Sequence, residues 1–591
     1  MSCAVHLDYQ GGTVLTGGVG NIIGTLFGVL SLSTIKNIVS SLGLDEAWWT
    51  NITVAAMICL FLVVQSLVLS RKNKNENRGA GMKNYFLGIE LGSTRIKAVL
   101  LDEAHKIVKS GDDTWKSSLE NGIWTYHMDE VQTGLRAAIQ NLGELPGEIS
   151  AMGVSGMMHG YLAFDKSWNL LAPFRTWQNT MTGEAAEALS AEFGFNVPQR
   201  WSIAHLYQAV LNGEEHVKSI AHITTLAGYV HYLLTGENVL GIGEASGMFP
   251  IDSEALSYDA AMLDKFDALI QKYDFSWSIR GILPKVLTAG AAAGTLTEAG
   301  VTYLGGLLPA GIPLCPPEGD AGTGMTATNA VAPRTGNVSA GTSIFAMVVL
   351  EKPLSKVYPE IDMVTTPTGK PVAMVHCNNC TNDMNAWVSL LGETAALFGA
   401  EVSTGELFTR LYQKSLEGEA DCSGVLTFNY LAGEGVTHLD EGRPMVVRRP
   451  ESRLTLANFL RSQLYATMAT LKIGMDILAG EHVAIDSLTG HGGLFKTPVV
   501  GQKYMAAACR APVTCMESAG EGGPYGMALL ASYMVQKAPA QTLEQYLETE
   551  VFADVKRMTL APDSEDAAGF DHYLTQYRAA LAAEQAAVAA F

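Results

Sequence analysis

The sequence predicts an α/β protein whose main body contains two similar domains that face each other across a cleft. The first observation is a strand, glycine turn and strand pattern in NYFLGIELGSTRIKAVLLDEAHKIV, where apolar and polar residues alternate on both sides of the turn. The second is the return of this pattern in GNVSAGTSIFAMVVLEKP, about 250 residues later. The third is the mixture of strand and helix patterns between the two copies, such as the helical spacing of apolar residues in HMDEVQTGLRAAIQ. A cleft between two domains is a common place for a nucleotide to bind.

Composition and charge limit the classes of protein to which the chain can belong. At 591 residues, with 48% hydrophobic and 17% charged residues, the chain is long enough to bury several cores. The formal net charge of −20 repels phosphate backbones, so no nucleic-acid partner is expected, although a nucleotide held by local amides remains compatible. Eight cysteines in so long a chain do not form a dense disulfide framework, which favours a reducing, cytoplasmic location for the body.

Residues 1–81 differ from the rest and are predicted to form an apolar helical leader. Residues 51–70, NITVAAMICLFLVVQSLVLS, contain no charged residue and are long enough to cross a bilayer as a helix. The basic run RKNKNENR follows at once and would hold the body on the cytoplasmic side. The alternative is one or two buried helices of a soluble domain.

The leader also resembles the C-terminal end of a bacterial sugar ABC-transporter permease. The resemblance lies in GGTVLTGGVGNIIGTLFGVL, a loop that contains WW and a last apolar span, and it covers only about residues 10–75. The transport machinery itself is missing, so the resemblance implies a fusion of neighbouring reading frames, natural or artefactual, with Met82 as the start of the second protein. A genuine leader would attach the body to a membrane or to a transporter.

Two glycine turns are candidates for holding phosphate groups. Gly92, Ser93 and Thr94 form the first turn, and Gly341 and Thr342 belong to the second. Backbone N–H groups and hydroxyls at such turns can bind phosphate oxygens. A single turn of this kind is most often only a turn, but two copies flanked by strands favour nucleotide binding. The sequence contains neither a GxxxxGK[ST] P-loop nor the protein-kinase motifs, so a phosphotransferase would require another architecture.

Residues 83–585 resemble the FGGY carbohydrate kinases of the actin and Hsp70-like ATPase superfamily, most closely their pentulose kinase branch, the xylulokinases. The ordered signatures are GIELGSTRIKAVLLD, GVSGMMHG, GYVHYLLTGE with GEASGMF, EGDAGTG, VSAGTS and LTGHGGLFKTPVVGQKYMAAACRAPVTCMESAGEGGPYGMALLAS. The resemblance implies two ribonuclease H-like domains. Residues 82–330 would carry the sugar site and the first phosphate loop, and residues 331–591 the second phosphate loop and the adenosine site.

The resemblance also implies roles for charged residues and glycines of the cleft. Asp320 would be the general base that accepts the proton of a sugar hydroxyl, although its residue type alone equally suits a capping or turn aspartate. Glu90 and Asp320 are the candidate Mg²⁺ ligands, because Mg²⁺ prefers oxygen and retains waters. Gly490, Gly492 and Gly493 would form the adenosine turn, unless they form a plain turn at a helix start.

The resemblance places the sugar at two further segments. Met158 and His159 correspond to paired substrate contacts, and Trp177, Gln178 and Asn179 to the next contact loop. A polar floor beside an aromatic wall suits recognition of a ketose. Taken alone, His159 would more often be a satisfied core histidine.

Two departures from the family pattern affect the expected activity. Glu90 stands where the family usually has aspartate, and Gln178 and Asn179 stand where its sugar loop commonly has asparagine and aspartate. The expected activity is ATP-dependent phosphorylation of a ketose, most closely a pentulose such as xylulose or ribulose. Another ketose or a polyol stays open as the substrate, as does a homodimer. A sugar- or nucleotide-binding regulator with little turnover is the alternative function.

Overall fold

The structure, a computed structural model, describes residues 84–516 and 522–591. The predicted leader, its span at residues 51–70 and the proposed start at Met82 lie outside the described residues. Within the described ranges, no helix combines the length and the apolar character that crossing a bilayer requires.

Two large sheets contain most of the strands, and residues Asn84–Phe591 form one compact unit around them. The N-terminal sheet has five strands in the order Glu318–Gly319, Glu148–Gly156, Asn84–Leu91, Arg95–Leu101, Ile107–Thr114. The C-terminal sheet has seven strands in the order Ile361–Thr365, Pro371–Cys377, Ile344–Val349, Thr335–Ala340, Ser487–His491, Val513–Met516, Arg557–Leu560. We call residues 84–330 and the remaining described residues the N-terminal and C-terminal lobes.

The five strands of the N-terminal sheet recur in the C-terminal sheet with the same order and directions. In each sheet a first strand pairs antiparallel with the second, and the second antiparallel with the third. On its other side the first strand pairs parallel with a fourth, which pairs parallel with a fifth. The prediction of two similar α/β domains is confirmed.

Helices and short strand pairs connect and cover these sheets. The α-helices are Met128–Gln140, Gly183–Phe193, Ser202–Leu211, Leu226–Thr235, Ile242–Ala245, Ala260–Ile270, Ile279–Ile282, Glu298–Tyr303, Asp320–Ala327, Asn382–Leu397, Thr404–Ser415, Leu456–Gly480, Val500–Cys509, Gly522–Gln536, Leu543–Tyr546 and Ser564–Ala590. The short strand pairs are Ser118–Glu120 with Ile123–Thr125, Leu162–Phe164 with His222–Thr224, Val239–Gly241 with Lys285–Leu287, Ile251–Asp252 with Ser257–Tyr258, and Val425–Phe428 with Met445–Arg448.

Alternation along the strands builds an apolar core on each face of the N-terminal sheet. Phe86 and Val99 pack into the cluster on one face, whereas Leu87, Ile89 and Leu91 pack into the cluster on the other. All five side chains are buried. Since neighbouring strand residues point to opposite faces, the run of apolar residues in this strand matches a sheet that is covered on both sides.

Helix Gly522–Gln536 follows a strand of the C-terminal sheet in the chain, yet it packs on the N-terminal sheet. A Cβ atom at Gly88 would lie 2.0 Å from the Pro524 carbonyl oxygen, and one at Gly153 would lie 2.4 Å from Met527 Cε. Both distances are too short for a real side chain, so the two glycines permit this close contact between helix and sheet. The last part of the chain therefore contributes to the core of the N-terminal lobe.

We predict that His231 makes the protein less stable as the pH falls. Its Nε2 atom lies 2.8 Å from the Ala293 carbonyl oxygen, and burial lowers its pKa from 6.5 to about 4. Between these values the unfolded chain binds a proton that the folded protein does not, which costs up to about 1.4 kcal/mol per pH unit. His231→Gln keeps an N–H donor, so thermal unfolding should show a smaller loss of Tm between pH 7.5 and pH 5 than in the parent.

The exposed His572 provides the control, because His572→Gln removes a histidine that lies 60% exposed on helix Ser564–Ala590. This variant should show the parent's loss of Tm. An equal loss of Tm in His231→Gln and in the parent would contradict the assignment of His231 as a buried neutral group.

Candidate active site

The first glycine turn joins the first two strands of the N-terminal sheet, and aromatic side chains fix its backbone. The Gly92 N–H donates to the Arg95 carbonyl oxygen at 2.9 Å. Trp115 Nε1 donates to the Gly92 carbonyl oxygen at 2.6 Å. The Tyr126 hydroxyl donates to the Ser93 carbonyl oxygen, also at 2.6 Å. The Thr94 side chain is exposed. The turn thus has an ordered backbone and an exposed hydroxyl, as a phosphate-binding loop requires.

The second glycine turn has the same position between two strands of the C-terminal sheet. The Gly341 N–H donates to the Ser343 carbonyl oxygen at 2.9 Å, which parallels the bond that closes the first turn. The Thr381 hydroxyl donates to the Gly341 carbonyl oxygen at 2.7 Å, and Thr342 is exposed. The predicted pair of phosphate loops therefore occupies equivalent positions in the two lobes.

The predicted adenosine turn lies directly against the second glycine turn. Gly492 has a φ of +97°, and a Cβ atom there would lie 2.4 Å from the Ala340 carbonyl oxygen. A Cβ atom at Gly490 would lie 2.5 Å from the Phe495 ring, whereas at Gly493 the nearest atom is 3.9 Å away. Two of the three glycines thus serve close packing inside the protein, whereas a Cβ atom at Gly493 would make only an ordinary van der Waals contact.

Glu90 and Asp320 bring two carboxylates together near the first turn. Glu90 is half-buried near the end of strand Asn84–Leu91, and Asp320 is the first residue of helix Asp320–Ala327. Burial, and then the negative charge of Asp320, raise the pKa of Glu90 from 4.5 to about 8, against the opposing effect of Lys97. The two groups are therefore close enough to repel each other.

Asp320 is open to the solvent although protein surrounds it on several sides. Its exposed side chain accepts a hydrogen bond from the Met158 N–H at 3.3 Å. The surrounding protein raises its pKa from 3.8 to about 6, an effect that this backbone bond opposes. Asp320 can accept a proton from a bound hydroxyl, because its carboxylate is reachable and partly desolvated.

The carboxylate pair fits Mg²⁺ in its chemistry. Among residues 84–516 and 522–591, no group of three or more His, Cys, Asp or Glu side chains forms a metal site. Mg²⁺ does not need one, because it is commonly bound by one or two carboxylates with phosphate oxygens and waters. Glu90 and Asp320 supply such oxygens, and their mutual repulsion favours a cation between them.

Helix Gly522–Gln536 begins against the Glu90 carboxylate, a contact that sequence reasoning missed. A Cβ atom at Gly523 would lie 1.9 Å from Glu90 Oε1 and 3.1 Å from Thr323 Oγ1. The absent side chain at Gly523 leaves room for the Glu90 carboxylate. The glycines of GEGGPYGMALL were the only sequence signal, and they did not identify the partner.

His159 is buried and lies beside Met158 in the N-terminal lobe. It has a φ of +69°, and its Nδ1 atom lies 3.0 Å from the Gly247 carbonyl oxygen. Its ring stacks on Trp201 with 6.2 Å between centroids. Burial, and then the Arg200 charge, lower its pKa from 6.5 to about 3, so the imidazole is neutral. The structure thus brings Met158, but not the His159 ring, into a hydrogen bond with Asp320.

The three residues of the predicted sugar loop differ in their surroundings. Asn179 uses its side-chain amide inside the protein, where Oδ1 accepts from the Trp124 N–H at 2.9 Å and Nδ2 donates to the Trp124 carbonyl oxygen at 2.8 Å. Trp177 and Gln178 line a cleft of about 590 Å³ between the lobes, and Trp177 is 39% exposed. The Asn179 amide therefore orders the loop, while Trp177 and Gln178 lie where a ligand could reach them.

Two further buried acids lie behind Asp320, and sequence reasoning did not assign them. Glu318 accepts hydrogen bonds from the N–H groups of Gly243 and Glu244, at 3.4 and 2.9 Å, and burial raises its pKa to about 8. Glu244 is fully buried, and burial first, then the charges of Asp320 and Glu318, raise its pKa well above 4.5. Glu318 belongs to the EGDAGTG motif and Glu244 to the GEASGMF motif, but their burial could not be predicted from the sequence.

Comparisons with known proteins agree with this geometry. Residues 85–326 match the N-terminal domain of the FGGY family of carbohydrate kinases, and residues 336–535 match its C-terminal domain. The fold and the cleft are those of a carbohydrate kinase, a phosphotransferase with an alcohol group as acceptor. The chain belongs to the FGGY family, as its sequence predicted.

Individual relatives are similar over most of their length. The xylulose kinase of Haemophilus influenzae is 21% identical over 468 residues, which cover 74% of this chain and 89% of the relative. The ligand-bound xylulose kinase of Lactobacillus acidophilus matches in structure with a TM-score of 0.71 and 18% identity, over 85% of this chain and 99% of that chain. At that identity the structural likeness shows the fold alone.

A short match supports the second resemblance. The inner membrane ABC transporter permease protein YjfF of Escherichia coli is 40% identical over 55 residues, which cover 9% of this chain and 17% of the permease. The match is too short to include the body of a transporter.

We predict that Gly523→Ala displaces the Glu90 carboxylate and lowers kcat/KM by about tenfold or more, because small misplacements at a reaction centre are costly. The distance of 1.9 Å between the added Cβ and Glu90 Oε1 leaves no room for both groups. Alanine favours helix more than glycine does, so the loss should not come from helix propensity. Steady-state kinetics should also show partial recovery when Glu90→Asp, which shortens the side chain, is added.

Gly405→Ala is the matched control, because it changes a helical glycine that has no atom within 4 Å of the added Cβ. It should keep the parent's kcat/KM. Parent-like activity in Gly523→Ala would show that helix Gly522–Gln536 does not confine the Glu90 carboxylate.

Proposed function

We propose that the protein transfers the γ-phosphoryl group of ATP to a hydroxyl of a ketose, with Asp320 as the general base. The observation that carries this proposal is the environment of Asp320, whose exposed carboxylate accepts a hydrogen bond from the Met158 N–H and is close enough to Glu90 to raise the pKa of that residue. A hydroxyl becomes a good nucleophile when a base accepts its proton, and phosphoryl transfer otherwise depends on positioning and charge neutralisation. Asp320 would receive that proton while the hydroxyl oxygen attacks phosphorus.

The chain's other residues would bind and orient the two substrates. The turns at Gly92–Thr94 and Gly341–Ser343 would hold phosphate oxygens through N–H groups and hydroxyls, and Gly493 would lie beside the adenine. Mg²⁺, when bound, would neutralise charge on the phosphates, with Glu90 and Asp320 as its protein ligands. The two lobes would exclude water from the reacting groups, which limits hydrolysis of ATP.

The preferred acceptor is a pentulose such as xylulose or ribulose. The relative from Haemophilus influenzae, which this chain matches over 89% of its length, is a xylulose kinase. Trp177 offers an aromatic wall and Gln178 an amide, a combination that suits a polyhydroxylated chain. Asn179 would support this loop through Trp124 rather than contact the sugar.

We predict that Asp320→Asn lowers kcat by about 10²- to 10⁴-fold, the usual contribution of a general base. Asparagine keeps an oxygen for the Met158 N–H but cannot accept the hydroxyl proton. The measurement is a coupled ADP-release assay on a panel of ketoses and polyols, with sugar phosphate confirmed by mass spectrometry. The parent should show its highest kcat/KM with a pentulose.

Asp259→Asn is the control, because Asp259 caps helix Ala260–Ile270 and asparagine is an equally good cap. The proposal fails if no acceptor stimulates ADP release by the parent, or if Asp320→Asn matches the parent. Calorimetry that shows tight binding of sugar and ATP without product would favour the alternative, a binding regulator.

A further inference from the structure

One edge of the C-terminal sheet is covered by the N-terminal lobe. Strand Ile361–Thr365 pairs on one side with strand Pro371–Cys377 and contacts the N-terminal lobe at both of its ends. Sheet edges carry unpaired polar groups, so a contact of this kind fixes where the edge can lie.

The first contact is an ion pair between the lobes. Arg200 Nη2 pairs with Asp362 Oδ2, and Asn196 Nδ2 donates to Asp362 Oδ1 at 3.1 Å and to the Ile361 carbonyl oxygen at 3.0 Å. Asp362 is buried and Arg200 is half-buried. A charge pair of this kind is costly to break, because one partner remains desolvated without the other.

The second contact lies at the other end of the strand. The Thr365 N–H donates to Ser246 Oγ and its hydroxyl donates to the Ile242 carbonyl oxygen, both at 3.1 Å. All three residues are buried. The strand is therefore attached to two separate segments of the N-terminal lobe.

These two segments are also the ones that hold residues 159 and 160. The Gly160 N–H donates to the Arg200 carbonyl oxygen at 3.3 Å. His159 Nδ1 lies 3.0 Å from the carbonyl oxygen of Gly247, the residue after Ser246. Strand Ile361–Thr365 is therefore linked through these segments to the chain next to Met158, whose N–H binds Asp320.

The ion pair also belongs to the wall of the cleft. Asn196, Arg200 and Asp362 line the same cleft of about 590 Å³ as Trp177 and Gln178. The contact between the lobes is thus adjacent to the place proposed for the acceptor rather than remote from it.

We propose that Asp362 is a positioning residue that couples docking of the C-terminal lobe to placement of the Met158–Gly160 segment beside Asp320. The ion pair with Arg200 and the hydrogen bond from Asn196 transmit this effect. Asp362 acts on the acceptor side of the reaction and leaves the glycine turns of the phosphates unchanged. The inference rests on the proposed function, since it assigns the acceptor to this side of the cleft.

The test is Asp362→Asn, which keeps an oxygen for Asn196 and removes the charge that pairs with Arg200. We expect kcat/KM for the acceptor to fall by about 10- to 100-fold, as for other small misplacements of a substrate. KM for ATP should change much less than KM for the acceptor. The ratio of ADP released to sugar phosphate formed should rise, because loss of placement uncouples ATP hydrolysis from transfer.

The control is Asp486→Asn, which breaks a similar ion pair between Arg334 and Asp486 at 2.6 Å, exposed and wholly within the C-terminal lobe. It should keep the parent's ratio of ADP to sugar phosphate. A double-mutant cycle with Arg200→Met should show that the two changes together cost much less than the product of the single effects. A parent-like ratio in Asp362→Asn, or independent effects in the cycle, would overturn the proposal.

A measurement that needs no catalytic turnover tests the role of Asp362 in lobe docking separately from the proposed function. Small-angle X-ray scattering should give a larger radius of gyration for Asp362→Asn than for the parent and Asp486→Asn, because the lobes lose a contact. If the parent phosphorylates no acceptor, the proposed function fails, and an unchanged radius for Asp362→Asn would additionally overturn the role of Asp362 in lobe docking.

Discussion

Helix Gly522–Gln536 and strand Asn84–Leu91 pack so closely that residue 88 can carry no side chain. A Cβ atom at Gly88 would lie 2.0 Å from the Pro524 carbonyl oxygen, and one at Gly526 would lie 2.0 Å from the Thr323 carbonyl oxygen. The helix thus touches both the strand that carries Glu90 and the helix that begins with Asp320. Since close-packed elements transmit small displacements, this contact constrains the backbone of both segments that carry the carboxylates.

The electrostatics of the site follow from that packing. Burying several acids in one region is costly, and the cost appears as raised pKa values at Glu90, Glu244 and Glu318. Such pKa shifts are common at functional sites, where burial and neighbouring charges adjust the protonation of the reacting groups even though they destabilise the fold locally. In a phosphotransferase the arrangement is useful, because a divalent cation relieves the repulsion between carboxylates and also binds phosphate.

The local sequence pattern was sufficient to predict part of the fold. The hairpins on either side of Gly92 and Gly341 could be predicted, because strand alternation and a glycine turn are properties of neighbouring residues. The position of helix Gly522–Gln536 on the N-terminal sheet could not, since it depends on packing against a strand more than 400 residues earlier. The inward use of the Asn179 amide in the predicted sugar loop was equally beyond prediction, because the amide binds a backbone segment distant in sequence.

The contact between the two lobes depends on a strand that is present in only one of the two similar sheets. Strand Ile361–Thr365 has no counterpart in the five-stranded N-terminal sheet, which ends at strand Ile107–Thr114. The extra strand extends the C-terminal sheet by one position and brings Asp362 and Thr365 to the N-terminal lobe. A repeated domain thus acquires an asymmetric element at the interface. Because that element contacts the segments that support His159, docking of the lobes and the shape of the side of the cleft proposed for the acceptor depend on the same few hydrogen bonds.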